Sequence, residues 1–314
     1  MDVICMGLMV VDAVGRTIDR FPERGSLVLF DRVELTSGGC AINSAAALAA
    51  LGVDVGVLAR VGDDALADFL MGRLRQLNVD GSQVVRDGEA GTSFTFVAVD
   101  ESGERSFFHT IGANGRLCAE DVNYDEVGKA KIFHVAGSYL MPAFDGEPTA
   151  AVLRRARAGG AMTTLDTAYN DRVDDWLALI EPCLPHLSCF MPSLKEARAI
   201  CGRREVAEMA RFFREKGAER VVIKLGAEGS YYYDGRTEVT VPCFEVDVVD
   251  TTGAGDAFVG GFLYGMLRGL PPGQCLTWGN AVAAQCVSAV GASSGLKSLA
   301  EMEAWLRTAR RKGS

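Results

Sequence analysis

The chain has 314 residues, a formal net charge of −9, and 48% hydrophobic against 23% charged residues. That balance supports a sizeable core and excludes a disordered chain, and the excess of acid without any cluster of Lys and Arg argues against a nucleic-acid partner. Nine cysteines without a C-x-x-C pair and three scattered histidines supply neither a disulfide framework nor zinc spacing, so a reducing cytoplasm is expected.

At the N-terminus Asp2 stands where a signal peptide would carry Lys or Arg. The apolar run Val3 to Val11 stops at Asp12, too short to span a bilayer, and reads as a first buried strand with no membrane role. Further apolar runs at Val53 to Val61, Ile132 to Ala136, Met162 to Asp166, Leu187 to Met191 and Arg220 to Leu225 alternate with helical patterns. Such alternation predicts an α/β fold with a doubly wound, mostly parallel sheet and helices on both faces. Two stretches, about 13–36 and 92–111, instead alternate apolar and polar residues and read as inserted lid strands, the second folded at Asp100-Glu101-Ser102-Gly103 into a hairpin. An exposed sheet of this kind offers an interface, so a homodimer is expected. Helices are predicted over Ala254 to Leu270, Gln274 to Val290 and Leu299 to Arg310, and the basic tail Arg307, Arg310, Arg311, Lys312 reads as a solvated helix end. No repeat or Pro/Gly/Ser linker divides the chain, so 1–314 is read as one domain.

The most informative segment runs Asp250-Thr251-Thr252-Gly253-Ala254-Gly255-Asp256, between a strand expected to end at Val246 to Val249 and an apolar helix. Glycines at a helix start let backbone N–H groups approach an anion, and the helix dipole adds attraction. Asp256 places a proton acceptor in the first turn, beside the cradle, as phosphoryl transfer to a hydroxyl requires. The plainer reading is a helix cap with close-packing glycines. The spacing differs from G-x-G-x-x-G, which disfavours a nicotinamide dehydrogenase.

A second turn, Ser37-Gly38-Gly39-Cys40-Ala41-Ile42-Asn43, opens another helix. Gly38 and Gly39 let a small ligand touch main chain, and Asn43 can bond hydroxyls in either direction; a packing turn fits equally well. Asp166 and Asn170 follow a core strand on the side where ligands bind in doubly wound sheets, and are candidates for substrate contact or for a turn.

The two glycine motifs in this order resemble the ribokinase-like (PfkB) family of carbohydrate kinases along essentially the whole chain. Gly62-Asp63-Asp64, Gly112-Ala113-Asn114 and Lys224-Leu225-Gly226-Ala227-Glu228-Gly229 extend the resemblance. It implies ATP-dependent transfer of the γ-phosphoryl group under a β lid, with Asp256 as base and the amides of Gly253, Ala254 and Gly255 stabilising the moving charge. An ordinary aspartate, ionised at neutral pH, suffices for that base. Asp12, Gly38, Gly39, Asn43 and Asn114 match the family's sugar-contacting positions, and Lys224, Gly226, Gly229 and Asn280 its nucleotide site. A monovalent cation, potassium, is implied at Asp250, Thr252 and the Gly291 region.

Two departures stand out. The family's N-x-x-E element, which organises Mg²⁺ through water, is Ser193-Leu194-Lys195-Glu196 here, and S-x-x-E also describes a capping box; both roles for Glu196 are expected together. Ala67 replaces the last glycine of G-x-D-x-x-G, a packing change. Arg60, Arg86 and Arg105 are isolated in sequence, which favours an unphosphorylated sugar as substrate. A nucleoside is the runner-up, on Phe94, Phe96, Phe107 and Phe108, and a sugar-binding sensor without turnover is the reading from another class.

Overall fold

A computed structural model describes residues 1–312. Nine strands form the main sheet: β1 (Val3–Gly7), β4 (Val55–Gly62), β5 (Asp80–Asp87), β8 (Ile132–Ser138), β9 (Met162–Thr167), β10 (Cys189–Phe190), β11 (Val221–Lys224), β12 (Ser230–Tyr233) and β13 (Glu238–Val241). Their order is β13-β12-β11-β10-β9-β8-β1-β4-β5, parallel except for the β11-β12-β13 meander at one edge. The helices are α1 (Cys40–Ala50), α2 (Ala65–Gln76), α3 (Tyr124–Val127), α4 (Glu147–Ala158), α5 (Trp176–Ile180), α6 (Leu194–Cys201), α7 (Val206–Glu215), α8 (Ala254–Leu267), α9 (Pro272–Cys286) and α10 (Leu299–Leu306).

The sheet is buried on both faces, so its central strands are apolar throughout instead of alternating. In β1, Val3 and Cys5 enter one core with α1, α8 and α9, while Ile4 and Met6 enter the other with α4, α6 and α7. β1 lies between β4 and β8, and the chain builds outward from it in both directions. That reversal opens a crevice at the carboxyl ends of the strands, where ligands bind in such sheets.

The second sheet is the lid, ordered β3 (Arg32–Gly38), β2 (Val10–Arg16), β6 (Phe94–Val99), β7 (Arg105–Thr110). β6 and β7 form the expected hairpin, and β2 pairs antiparallel to β3 and parallel to β6.

Several expectations are corrected. The run Val3 to Val11 is two strands in two sheets, because the chain turns at Leu8 and Met9, where the Asn114 side chain bonds both the N–H and the C=O of Met9. The first lid segment therefore starts at Val10, and Ser26 to Asp31 lies outside any strand. Val246 to Val249 forms no strand; no neighbour offers a ladder, Val248 and Val249 are exposed, and Val249 and Asp250 are tied to the Val287 carbonyl. The basic tail is only in part a solvated helix end: α10 stops at Leu306 and Arg307 and Arg310 are exposed, but Arg311 bridges Phe244 and the Lys312 amide bonds the Cys243 carbonyl. Edge strands β5 and β13 escaped the sequence reading because exposed polar positions interrupt any apolar run, and β12 because Ser230 and three tyrosines do not read as one.

Candidate active site

Two helix N-termini meet at the crevice. α8 begins at Gly253, whose φ of 75° is left-handed and whose added Cβ would collide with Ala292. Only glycine turns the chain here without strain. Gly39 precedes α1 with φ 103°, and a Cβ there would run into the Leu8 carbonyl. The two helices pack closely because Gly260 of α8 faces Ala47 of α1, with no room for a larger side chain. This close approach brings Asn43 against Asp256: Nδ2 donates to Oδ2 at 2.8 Å, and Ser44 Oγ donates to the Asp256 carbonyl at 3.3 Å.

Asp256 sits in the first turn of α8, half-buried at the floor of a cleft of about 510 Å³. Desolvation, joined by the charge of Asp166 and opposed by Asn43, Lys224 and the Cys40 thiol, pushes its carboxyl up to about 7. The expectation of an ordinary aspartate is thus corrected: the same walls that exclude water from a phosphoryl group also disfavour the anion. Of the three cradle amides, Ala254 N–H bonds the Thr251 carbonyl at 3.2 Å, whereas no acceptor among the described residues takes those of Gly253 and Gly255.

The same cleft brings together Lys224, Gly226, Gly229, Asn280, Glu196 and Asp166. Its apolar lining includes Phe244, Val246, Phe258 and Val287. Asn280 donates its amide to the carbonyls of Val241 and Pro242. Glu196 closes the capping box with Ser193 and also accepts from Thr167 Oγ1 at 2.8 Å.

On the lid side, Asp12 lies against Gly38 and pairs in register with Thr95 of β6. Burial pushes the Asp12 carboxyl up, and hydrogen bonding to Thr95 and the nearby His109 oppose this. Asn114 and Asn170 are already engaged: the first clamps Met9, and the second donates to the Tyr139 carbonyl and accepts from the Arg172 amide. Asp166 accepts from the Gly137 amide and Lys224.

Asp250, Thr252 and Gly291 converge. Asp250 Oδ1 accepts from the Thr252 amide at 2.9 Å and hydroxyl at 2.7 Å, and Oδ2 from the Gly291 amide at 2.9 Å. Arg105 reaches down from the lid to place Nη1 3.0 Å from both Asp250 Oδ1 and Thr252 Oγ1. Burial pushes the Asp250 carboxyl up, but Arg105 and the Gly291 and Thr252 donors outweigh it and hold it well below the usual range. The Cys286 thiol lies 3.4 Å from the Thr252 carbonyl oxygen and 3.3 Å from that of Ala292.

Sequence reasoning missed Cys40, Ser44 and Thr167 at this site. Cys40 lay in plain view inside the Gly-Gly turn, but thiol and hydroxyl side chains carry no spacing signal of their own.

The doubly wound sheet, the lid and the glycine-lined cleft fit a sugar kinase, and comparison with known proteins shows that class. The chain belongs to the pfkB family of carbohydrate kinases, whose model matches residues 1–299. It is 32% identical over 254 residues to an uncharacterized sugar kinase of Archaeoglobus fulgidus, covering 79% of this chain and 97% of that one. It is 30% identical over 285 residues to the 2-dehydro-3-deoxygluconokinase of Bacillus subtilis, covering 87% of each. Among solved structures, the Thermotoga maritima ribokinase superposes with a TM-score of 0.84 at 25% identity, covering 98% of this chain and 99% of that one.

Proposed function

We propose that the protein transfers the γ-phosphoryl group of Mg-ATP to a hydroxyl of a small, unphosphorylated sugar or sugar acid, with Asp256 as the base. The observation that carries this reading is the Asp256 carboxylate in the first turn of α8, held by Asn43 beside the unpaired amides of Gly253 and Gly255. The substrate lies between Asp12, Gly38, Gly39 and Asn43, with Asn114 shaping that wall through Met9. The substrate oxygen attacks phosphorus, its proton passes to Asp256, a new O–P bond forms, and the β,γ-bridging bond breaks with its electron pair leaving on ADP. Glu196 would hold Mg²⁺ through water, and the ion would supply neutralisation of the phosphate charge.

Support for an unphosphorylated acceptor comes from the arginines. Arg60 pairs with Asp87 and Asp121, Arg86 with Asp63 and Asp68, and Arg105 with Asp250, so each is neutralised where a substrate phosphate would need them to converge. The Bacillus relative's name supports adding keto-deoxy sugar acids to the acceptors. For a nucleoside the support is thinner, since Phe108 packs edge-on against Phe21 and Phe96 against Phe30, within the lid region itself.

A potassium ion would share Asp250 with Arg105 and bind the Thr252 carbonyl and the Gly291 loop; turnover unchanged when tetramethylammonium replaces potassium would remove the ion. Exposed Leu27, Leu29, Val33, Leu35, Phe107 and Phe108 on and beside the lid support a homodimer. Nine free cysteines support a cytoplasmic setting.

The test is ADP release with Mg-ATP across pentoses, hexoses, keto-deoxy sugar acids and nucleosides, for wild type and Asp256→Asn. Turnover on one acceptor that falls by about 10²–10⁴ in the variant is expected. Sugar binding without ADP release would favour the sensor, and turnover that survives the substitution would remove Asp256 as the base.

A further inference from the structure

Lys224 ends β11 with its side chain turned inward, 12% exposed, and Nζ 3.3 Å from Oδ2 of Asp166, itself 2% exposed. A Cβ built on Gly255 would lie 3.5 Å from that same nitrogen, with no other atom within 4 Å. The ammonium therefore stands between an acid at the end of β9 and the middle of the phosphate cradle. Asp166 is fixed from behind: its Oδ1 accepts from the Gly137 amide at 2.8 Å, and the buried His134 ring places an otherwise unpartnered Nε2 3.9 Å away. One carboxylate oxygen is thus left to face the lysine.

Three carboxylates, Asp166, Glu196 and Asp256, line one cleft that must admit a polyanion. Burial pulls the Lys224 pKa down, but Asp166, Glu196 and Asp256 more than offset it, so the ammonium stays charged. An ammonium carries three donors, and Asp166 engages one of them. The others point to a use beyond neutralising Asp166.

Resting on the phosphoryl-transfer reading, we propose that Lys224 is a catalytic residue whose ammonium, held by Asp166, bonds the transferring phosphoryl group at the Gly253–Gly255 cradle. It keeps its proton throughout and acts by charge, while the proton from the acceptor goes to Asp256. Asp166 becomes a positioning residue for the lysine and not a contact of the sugar.

Lys224→Met alone leaves Asp166 buried without its counter-ion, which threatens the fold. The decisive comparison is therefore Asp166→Asn against the double variant Asp166→Asn/Lys224→Met, in which neither charge is stranded. Calorimetry with Mg-ATP and Mg-ADP needs no sugar. We expect the double variant to lose about tenfold in ATP affinity relative to ADP affinity when set against Asp166→Asn. On an accepted sugar, kcat should fall by about 100-fold with KM for the sugar little changed. A double variant that keeps the ATP and ADP affinities and the turnover of Asp166→Asn would show that the lysine is only a counter-ion, overturning the proposal while leaving the kinase intact. Wild type that binds neither nucleotide would overturn the kinase reading and this role together.

Discussion

Asp256 is a weaker acid than a solvated aspartate, because desolvation and the neighbouring Asp166 both disfavour its charge. A general base works only when ionised, so kcat/KM should fall as the pH drops through about 7 in the free enzyme. Asp166→Asn removes the like charge and leaves Lys224 facing Asp256, so this acid limb should move to lower pH; a limb that stays in place would separate Asp166 from the base. Stability responds in the opposite sense. A folded-state pKa raised above the unfolded value means that the folded chain holds the proton more tightly, and stability contributed by the protonated form is lost as pH rises through about 7. Asp256→Asn, which cannot ionise, should therefore gain more in melting temperature over wild type at pH 8 than at pH 5, while turnover is lost. Equal melting shifts at both pH values would contradict the strained ionisation of Asp256.

The α8 turn shows how an element carries these residues. Gly253 at φ 75° sets the angle at which the Thr251–Thr252 turn enters the helix, and Ala292 closes against it. Gly253→Ala brings left-handed strain and a collision, at a cost of about 1–3 kcal/mol. We expect a lower melting temperature and a loss of turnover larger than the stability loss accounts for, since the Gly255 amide moves with the turn. Gly39 makes the same demand where α1 begins. The Gly-rich turns were legible in sequence because an unusual residue marks an unusual backbone. What was not legible was that Asn43 and Asp256, far apart in the chain, would be joined by a 2.8 Å hydrogen bond, a consequence of how Gly260 lets α8 approach α1.

At the scale of the whole molecule, the lid hangs between the cleft and an apolar outer surface. Phe107 and Phe108 are 62% and 58% exposed, and Leu29 is 83% exposed, on and beside an uncovered antiparallel hairpin. If two copies cover one another here, Phe107→Asp combined with Leu29→Asp should convert a dimer to a monomer in sedimentation and raise KM for the sugar, because Asp12 and Thr95 lie in the same sheet. A wild type that sediments as a monomer would dispose of that interface. By itself the sequence determined the alternation of buried strands and helices, the lid hairpin and the glycine turns, since these follow from local periodicity and backbone freedom. It left open which side chains meet. Asn114, a candidate ligand, clamps Met9, Asn170, a candidate for ligand or turn, bonds backbone, Arg105 read as isolated but crosses from lid to Asp250, and Lys224, assigned to the nucleotide site, also faces Asp166. Those outcomes were decided by tertiary structure, because a long side chain's partner depends on packing between distant segments, which no local pattern encodes.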